Sequence, residues 1–320
     1  MENSTPRAVW LAFALASTLC AADFKPTAQD SVVAANAKWE MVWTGGEFTE
    51  GPAAAANGDI YFSDIGNRVL RFTPSSAKTT VVREPSGRAN GLEFDAGGRL
   101  IACEGAYGGG RRIAVIDGNT SRTLADRWEG KRFNSPNDLT VAPGGIIYFT
   151  DPRYLGDEPR DLDFEGVFLV RPNGTVALAT RDVQKPNGIA ARADGKVIYV
   201  ADNNPKGNRH LLEFTVQADG TLAGKKVLHD FGPNRRGIDG MTLDLQGTLF
   251  ATAGTGNEAG IYVFTPSGVH VAFVPTQGTP TNCTFGTGRE SGVLYVTAQS
   301  GVEVGGRKPW GLYRMRLKAP

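Results

Sequence analysis

The sequence lacks an excess of charge of either sign, and this limits the partners it can have. Its 320 residues include 34 lysines and arginines against 33 aspartates and glutamates, and no long run of like charge occurs. A nucleic-acid backbone or an anionic membrane surface requires a concentrated positive patch as its counterpart. We therefore expect neither nucleic acid nor membrane as a partner, and we expect a small molecule instead.

Cysteine is also scarce, with three residues in the whole chain. Cys20 falls in a segment that we expect to be removed, which leaves Cys103 and Cys283, far apart in the sequence. Two cysteines are too few for a disulfide framework. Each lies in or beside a strand-like run, so we predict that both are small buried apolar side chains.

One apolar run near the N-terminus differs in kind from the rest of the chain. Arg7 precedes an apolar stretch over residues 8–15, and small residues follow up to Ala22. The stretch is shorter than the ~20 residues that a membrane span needs. We predict a signal peptide over residues 1–22, an extension over 23–38 and an exported protein, periplasmic or secreted. A buried N-terminal helix is the alternative.

A pattern with a period of 40 to 52 residues repeats six times. Each copy has a polar residue in a Gly- or Pro-containing turn, a short apolar run, a glycine-rich turn and a second apolar run that usually ends in a small residue and an acid. This length matches the four short strands of one propeller blade. The leading polar residues are Glu50, Asn90, Asn137, Asn187, Asp239 and Asn282.

The runs are rich in β-branched and aromatic residues and are bounded by glycine turns, which favours strands over helices. We predict an all-β fold: a six-bladed β-propeller with four-stranded blades over residues 39–320. Only residues 311–317 remain to follow the sixth copy. We therefore expect the N-terminal strand, around residues 39–43, to complete the last blade and close the ring, which hides its edges.

If each copy is one blade, the leading residues form a ring at one end of the central channel. All six offer oxygen, and a buried polar group without a partner costs ~1–3 kcal/mol. Oxygen ligands favour calcium or magnesium over zinc. We expect one divalent cation, calcium first, with Mg²⁺, Mn²⁺ and Zn²⁺ as alternatives, neutralised by Glu50 and Asp239. The other interpretation is that these residues only cap turns.

At these positions the chain resembles the family of senescence marker protein, gluconolactonase and luciferin-regenerating enzyme, whose members are six-bladed propellers. The resemblance implies that Glu50, Asn187 and Asp239 hold a divalent metal and that Asn137 lies beside it, in contact with substrate. We expect Asn90 and Asn282 to contact substrate as well. The matching segments are residues 50–52, 135–139, 185–189, 238–241 and 281–286.

The chain departs from the family pattern at two places, which leaves the exact substrate open. Many bacterial gluconolactonase-like members have Glu-His where this chain has Glu104 and Gly105. The mammalian-type lactonases have a sugar-contacting arginine where this chain has Asn134 and Ser135.

The resemblance implies a metal-dependent lactonase that opens a small lactone such as gluconolactone, with Asp239 as the proton acceptor. A Ser-His-Asp triad is disfavoured, because no Gly-x-Ser-x-Gly motif occurs and the histidines lie outside the repeated motifs. The three histidines are His210, His229 and His270.

Two alternatives stay open. One is a phosphotriesterase of the diisopropyl fluorophosphatase kind, which shares the propeller and the metal ring. The other is a propeller that only binds a ligand or protein, with a structural metal. Convergence of Glu50 and Asp239 on the channel argues against the second. Tyr107, Tyr154 and Trp310 are candidates for ligand contact, with ordinary packing as the alternative.

Overall fold

Each sequence repeat forms one four-stranded antiparallel sheet in the computed structural model, which describes residues 29–303 and 305–318. The six sheets are the blades of a β-propeller, as the repeat predicts. The predicted signal peptide and Cys20 lie outside the described residues. Within the described part of the chain, no helix has the length and apolar character needed to cross a membrane.

The first half of the chain begins with a short helix, α1 (Gln29–Val32), and strand β1 (Glu40–Gly46). Blade one contains β2 (Thr49–Ala54), β3 (Ile60–Asp64), β4 (Arg68–Thr73) and β5 (Lys78–Arg83). Blade two contains β6 (Ala89–Phe94), β7 (Leu100–Glu104), β8 (Arg112–Asp117) and β9 (Thr120–Ala125). A small hairpin follows, formed by β10 (Arg127–Trp128) and β11 (Lys131–Arg132). Blade three contains β12 (Leu139–Ala142), β13 (Ile146–Asp151), β14 (Gly166–Val170) and β15 (Val176–Thr180).

The second half continues in the same order, with two 3₁₀ turns at Gly256–Glu258 and Gly288–Glu290. Blade four contains β16 (Pro186–Ala191), β17 (Val197–Asn203), β18 (Arg209–Val216) and β19 (Leu222–Asp230). Blade five contains β20 (Met241–Leu243), β21 (Leu249–Ala253), β22 (Gly260–Phe264) and β23 (His270–Pro275). Blade six contains β24 (Pro280–Phe285), β25 (Val293–Gln299) and β26 (Trp310–Arg316).

The N-terminal strand closes the ring, as predicted. Blade six has the strand order β1-β26-β25-β24, so its outermost strand comes from the other end of the chain. Glu40 pairs with Arg314 in this register, and their side chains form an ion pair at 2.8 Å. The indole Nε1 of Trp39 donates to the carbonyl of Pro275 at 2.8 Å, which ties the incoming segment to blade five. Closure leaves β26 paired on both sides.

The second strand of each blade is buried on both faces, because two neighbouring blades cover it. Tyr148, Tyr199 and Tyr295 occupy this strand in blades three, four and six, and each is almost fully buried. Their hydroxyls donate to nearby acceptors at 2.7–2.9 Å, which satisfies the only polar atom of each side chain. Cys103 and Cys283 are also buried, and neither forms a disulfide, as predicted.

Candidate active site at the mouth of the channel

A cavity of about 690 Å³ opens where the first strands of the blades begin. Five of the six predicted ring residues line it, so the repeat places polar side chains from five blades around one space. Because the first strands start at equal height in a propeller, residues distant in sequence become neighbours. The five are Glu50, Asn90, Asn137, Asn187 and Asp239.

The sixth predicted member, Asn282, does not line this cavity. The amide of Gly188 donates to the carbonyl of Asp239 at 2.6 Å, and the amide of Gly240 donates to that of Thr281 at 2.7 Å. Thr281 therefore occupies in blade six the position that Asp239 occupies in blade five. The predicted ring position in the sixth repeat is therefore wrong by one residue. The error arose because Asn282, which directly follows Thr281, is an asparagine like the ring residues of blades two, three and four.

Asn282 instead lies deeper in the channel, with Asp138. Its amide Nδ2 donates to Asp138 Oδ2 at 3.2 Å, and both residues are buried. They line a second cavity of about 420 Å³, formed by residues further along the first strands of all six blades. Burial raises the pKa of Asp138 to about 7, and that of Glu93 in the same cavity to about 8. The channel thus has an inner layer that the sequence analysis did not identify.

Acids at the ends of the second strands fix the loops that lead into the site. Asp202 accepts the backbone N–H groups of Gln184 and Lys185 at 3.1 and 2.9 Å, just before the strand that carries the ring residue of blade four. Asp64 and Asp151 hold two N–H groups each in the same way in blades one and three. The recurring acid of the sequence pattern therefore positions the ring residue and does not belong to the ring.

Asp239 lies at the centre of the polar contacts. Asn187 Nδ2 donates to its Oδ1 at 2.7 Å, and the guanidinium of Arg236 donates to its Oδ2. Burial raises the pKa of Asp239, although Arg236 and Asn187 act in the opposite direction. One carboxylate is therefore held by an amide from blade four and a guanidinium from its own loop, which fixes the direction of both oxygens.

Glu50 faces the same cavity from blade one and is only 5% exposed. Its Oε2 accepts the N–H of Gly51 at 3.0 Å. Burial raises the pKa of Glu50 well above its usual range, and the charges of Asp239 and Asp138 add to this effect. Two buried carboxylates that repel each other favour a cation between them.

These residues fit a divalent cation by their donor chemistry. Glu50 and Asp239 supply carboxylate oxygens and Asn187 supplies an amide, which suits calcium or magnesium. Within the described residues no cluster of three or more histidine, cysteine or acidic side chains is placed to hold a metal. A site here would therefore depend on the amide of Asn187.

Aromatic and apolar side chains form the rim of the cavity. Tyr107, Tyr154 and Leu155 line the cavity and are 38–63% exposed. Phe48 lines it as well. Trp310 does not line it and packs on Phe48, with 4.2 Å between the ring centroids. Two of the three aromatic candidates from the sequence thus face the cavity.

Four arginines on the wall of this cavity were missed by sequence reasoning. Three lie in loops and one begins β18, all of them outside the repeated motifs. Only the pair just before Gly237 and residues 238–241 gave a signal in the sequence that could have been followed. The four are Arg88, Arg209, Arg235 and Arg236. The three histidines lie on outer strands of blades four and five and do not line the cavity.

Comparison with known proteins gives one consistent result. Residues 48–300 match the SMP-30/Gluconolactonase/LRE-like region. A gluconolactonase of Zymomonas mobilis is 28% identical over 302 residues, which cover 85% of this chain and 82% of that protein. A solved gluconolactonase structure from Xanthomonas campestris is 27% identical and has a TM-score of 0.78, with 91% of this chain and 94% of that chain covered. A calcium-binding protein from Agrobacterium tumefaciens, regucalcin, shares the fold at 18% identity, with a TM-score of 0.71 and coverage of 89% and 96%.

Proposed function

The chain belongs to the SMP-30, gluconolactonase and luciferin-regenerating enzyme family, and we propose that it uses one divalent cation, calcium, to hydrolyse a small sugar-acid lactone. The observation that carries the proposal is the meeting of Glu50, Asn187 and Asp239 in one cavity of about 690 Å³. Two buried carboxylates at a channel mouth are costly unless a cation or a reaction uses them. This favours an enzyme over a propeller that only binds.

The chain's own residues position the reactants. Asp239 accepts a proton from the water whose oxygen attacks the lactone carbonyl, and it returns this proton to the ring oxygen as the ring C–O bond breaks. Asn187 and Arg236 hold the two oxygens of Asp239, which keeps the carboxylate aimed while the proton moves. The amides of Asn90 and Asn137 line the same cavity and are placed to bind hydroxyls of the lactone.

The cation, when bound by Glu50, Asn187 and Asp239, supplies Lewis-acid polarisation of the carbonyl and a countercharge for the developing oxyanion. This demand is the same for a lactone and for a phosphotriester. Family membership supports the lactone, because the gluconolactonases of Zymomonas and Xanthomonas both match most of this chain.

The test is hydrolysis of glucono-1,5-lactone by the full-length protein after chelation, with calcium, magnesium, manganese or zinc added back. We expect cation-dependent turnover that Asp239→Ala abolishes and that Asp244→Ala retains, because Asp244 caps an exposed turn outside the cavity. Turnover of phosphotriesters alone would assign the phosphotriesterase function. Cation binding without turnover of any lactone or phosphotriester would assign a binding propeller.

We also propose that the protein is exported, on the basis of Arg7 and the apolar residues 8–15 that follow it. N-terminal sequencing of the protein recovered from the periplasm or the medium would find a chain that begins near Asp23. A chain that retains residues 1–22 inside the cell would contradict this.

A further inference from the structure

Positive charge is concentrated on the wall of the mouth cavity, in a chain that is almost neutral overall. Four arginines line the cavity against two acids, Glu50 and Asp239. In the whole sequence the two signs nearly cancel, 34 against 33. If Glu50 and Asp239 hold a divalent cation, neither is available to balance the arginines. The cavity then carries a clear excess of positive charge.

Arg209 has no acidic partner among the described residues. Its guanidinium donates to the backbone carbonyls of Gly207 and Pro205, which fixes its position at the start of β18 without neutralising it. A guanidinium has five N–H donors in a planar fork. Arg209 therefore keeps donors and its full charge for an anion that enters the cavity.

Arg209 packs directly against the loop that carries Arg235 and Arg236, and the three form what we call the arginine wall. A Cβ atom on Gly237 would lie 3.1 Å from Cβ of Arg209, so the absence of a side chain at this glycine allows the close approach. Arg236 reaches Asp239 from this wall, and Arg235 pairs with Glu258 at 3.2 Å. Arg209 is therefore the member of the wall that has no acidic partner among the described residues.

A second arginine without an acidic partner faces the cavity from blade two, opposite blade five. Arg88 donates to the carbonyls of Tyr107 and Ile65, and its guanidinium lies 5.0 Å from the centroid of the Tyr107 ring. This stacking holds Arg88 in place at the rim. Positively charged arginines, Arg88 and Arg209, therefore lie on two sides of the space that leads down to Asp239.

We infer that the lactone opened at this site carries an anionic group, a carboxylate or a phosphate, which Arg209 binds on the arginine wall. The inference rests on the proposed lactonase function and names its substrate class. A neutral sugar lactone leaves Arg209 without a counterion, whereas a carboxylate or phosphate accepts two parallel N–H donors from one guanidinium. Arg209 packs on the loop of Arg236, whose guanidinium donates to Asp239, and all three residues line the same cavity.

The test compares three lactones of the same sugar acid series: neutral glucono-1,5-lactone, 6-phosphoglucono-1,5-lactone and glucaro-1,4-lactone, which carries a carboxylate. We expect kcat/KM for at least one charged lactone to exceed that for the neutral one by roughly ten- to a hundredfold, the usual effect of a charge-assisted hydrogen bond. Added salt reduces this advantage, because it screens the arginine wall. Preference for the phosphate or for the carboxylate identifies the anion.

Arg209→Gln reduces the ratio of charged to neutral turnover to near one. Arg192→Gln is the matched control, because Arg192 pairs with Asp194 in the β16–β17 turn and lies outside the cavity, and it keeps the wild-type ratio. Equal turnover of all three lactones by the wild type would overturn the inference. So would an Arg209→Gln protein that retains the preference.

A binding measurement separates this inference from the lactonase function. Titration calorimetry with gluconate, 6-phosphogluconate and glucarate requires no turnover. Tighter binding of an acid with a second anionic group, lost in Arg209→Gln, supports the inference even if no lactone is hydrolysed, in which case only the proposed function fails. Equal binding of the three acids contradicts the inference, whether or not the protein is a lactonase.

Discussion

Asn282 donates its side-chain amide to Asp138 at 3.2 Å, so blades three and six, which face each other across the ring, are joined through the centre of the channel. Glycines occupy the equivalent place in blades two and five, where a Cβ on Gly91 would lie 2.4 Å from Asp138 and one on Gly240 would lie 2.1 Å from Asn282. The absence of side chains on those blades therefore makes room for this one cross-channel pair.

Asn282→Ala is expected to lower the free energy of unfolding by about 1–3 kcal/mol, because it leaves a buried oxygen of Asp138 without its donor. Calcium affinity and KM should change little, since Asn282 lies below the mouth. Chemical denaturation, titration calorimetry and lactone hydrolysis measure these three quantities. Asn137→Ala is the matched variant at the mouth and should raise KM with a smaller loss of stability. The same KM increase in both variants would place Asn282 in the substrate site after all.

The pH dependence of stability should report the burial of Asp138. Its pKa is about 7 in the folded protein, against about 3.9 in an unfolded chain. The folded state therefore prefers the protonated acid, and this contribution is complete below about pH 4 and is lost as the pH rises to 7. The difference in unfolding free energy between wild type and Asp138→Asn should change by up to about 4 kcal/mol over this range. Parallel pH profiles for the two proteins would contradict the assignment.

The repeat predicted the fold well because strand length, turn glycines and buried runs are all local properties of the sequence. The ring closure followed from counting strands, since only residues 311–317 remained for the last blade. The register of blade six could not be read in the same way. Thr281 and Asn282 are both polar, and only the hydrogen bond from Gly240 to the carbonyl of Thr281 distinguishes them.

The arginines at the mouth could not be predicted from the sequence, for a related reason. Arg88 and Arg209 have no common spacing or motif, and their shared place on one cavity results from the closed ring. Asp202 was visible as part of the pattern, but its role as an acceptor for two loop N–H groups required the structure. Motifs therefore found the residues that repeat, and the fold was needed for those that do not.

The effect of Glu50→Gln on the free energy of unfolding should change sign when the cation is added. In the chelated protein at pH 8 the variant should be more stable than the wild type, because it removes a buried carboxyl group that Asp239 and Asp138 repel. With calcium at about a hundredfold its dissociation constant, the wild type should gain about 2.7 kcal/mol and the variant much less. Thermal unfolding with and without calcium measures this. Glu47→Gln, exposed and outside the cavity, should behave as wild type. An equal calcium shift in all three proteins would exclude Glu50 as a ligand.

Asp202→Ala should destabilise the protein by about 2 kcal/mol or more, because the N–H groups of Gln184 and Lys185 lose their acceptor. Since this loop leads to Asn187, calcium binding should weaken too. Asp202→Asn keeps one acceptor oxygen and should recover part of both losses. Asp194→Ala, at an exposed turn of the same blade, is the control. Unchanged calcium affinity in Asp202→Ala would show that the acid stabilises the blade without positioning the site.

Removal of β1 should open the ring. A chain that begins at Gln29 keeps every described strand, and we expect it to melt at the wild-type temperature. A chain that begins at Glu47 lacks the strand that pairs with β26 and the packing of Trp43 on Phe62, whose ring centroids are 5.3 Å apart. It exposes the N–H and C=O groups of β26 as an unpaired edge, so it should melt about 10 °C lower or more and should self-associate, as measured by light scattering.

A synthetic peptide of residues 38–46 should restore the melting temperature of the shortened chain, because an added strand can pair with an open sheet edge. A shortened chain that stays monodisperse and melts normally without the peptide would mean that the propeller does not depend on this closure.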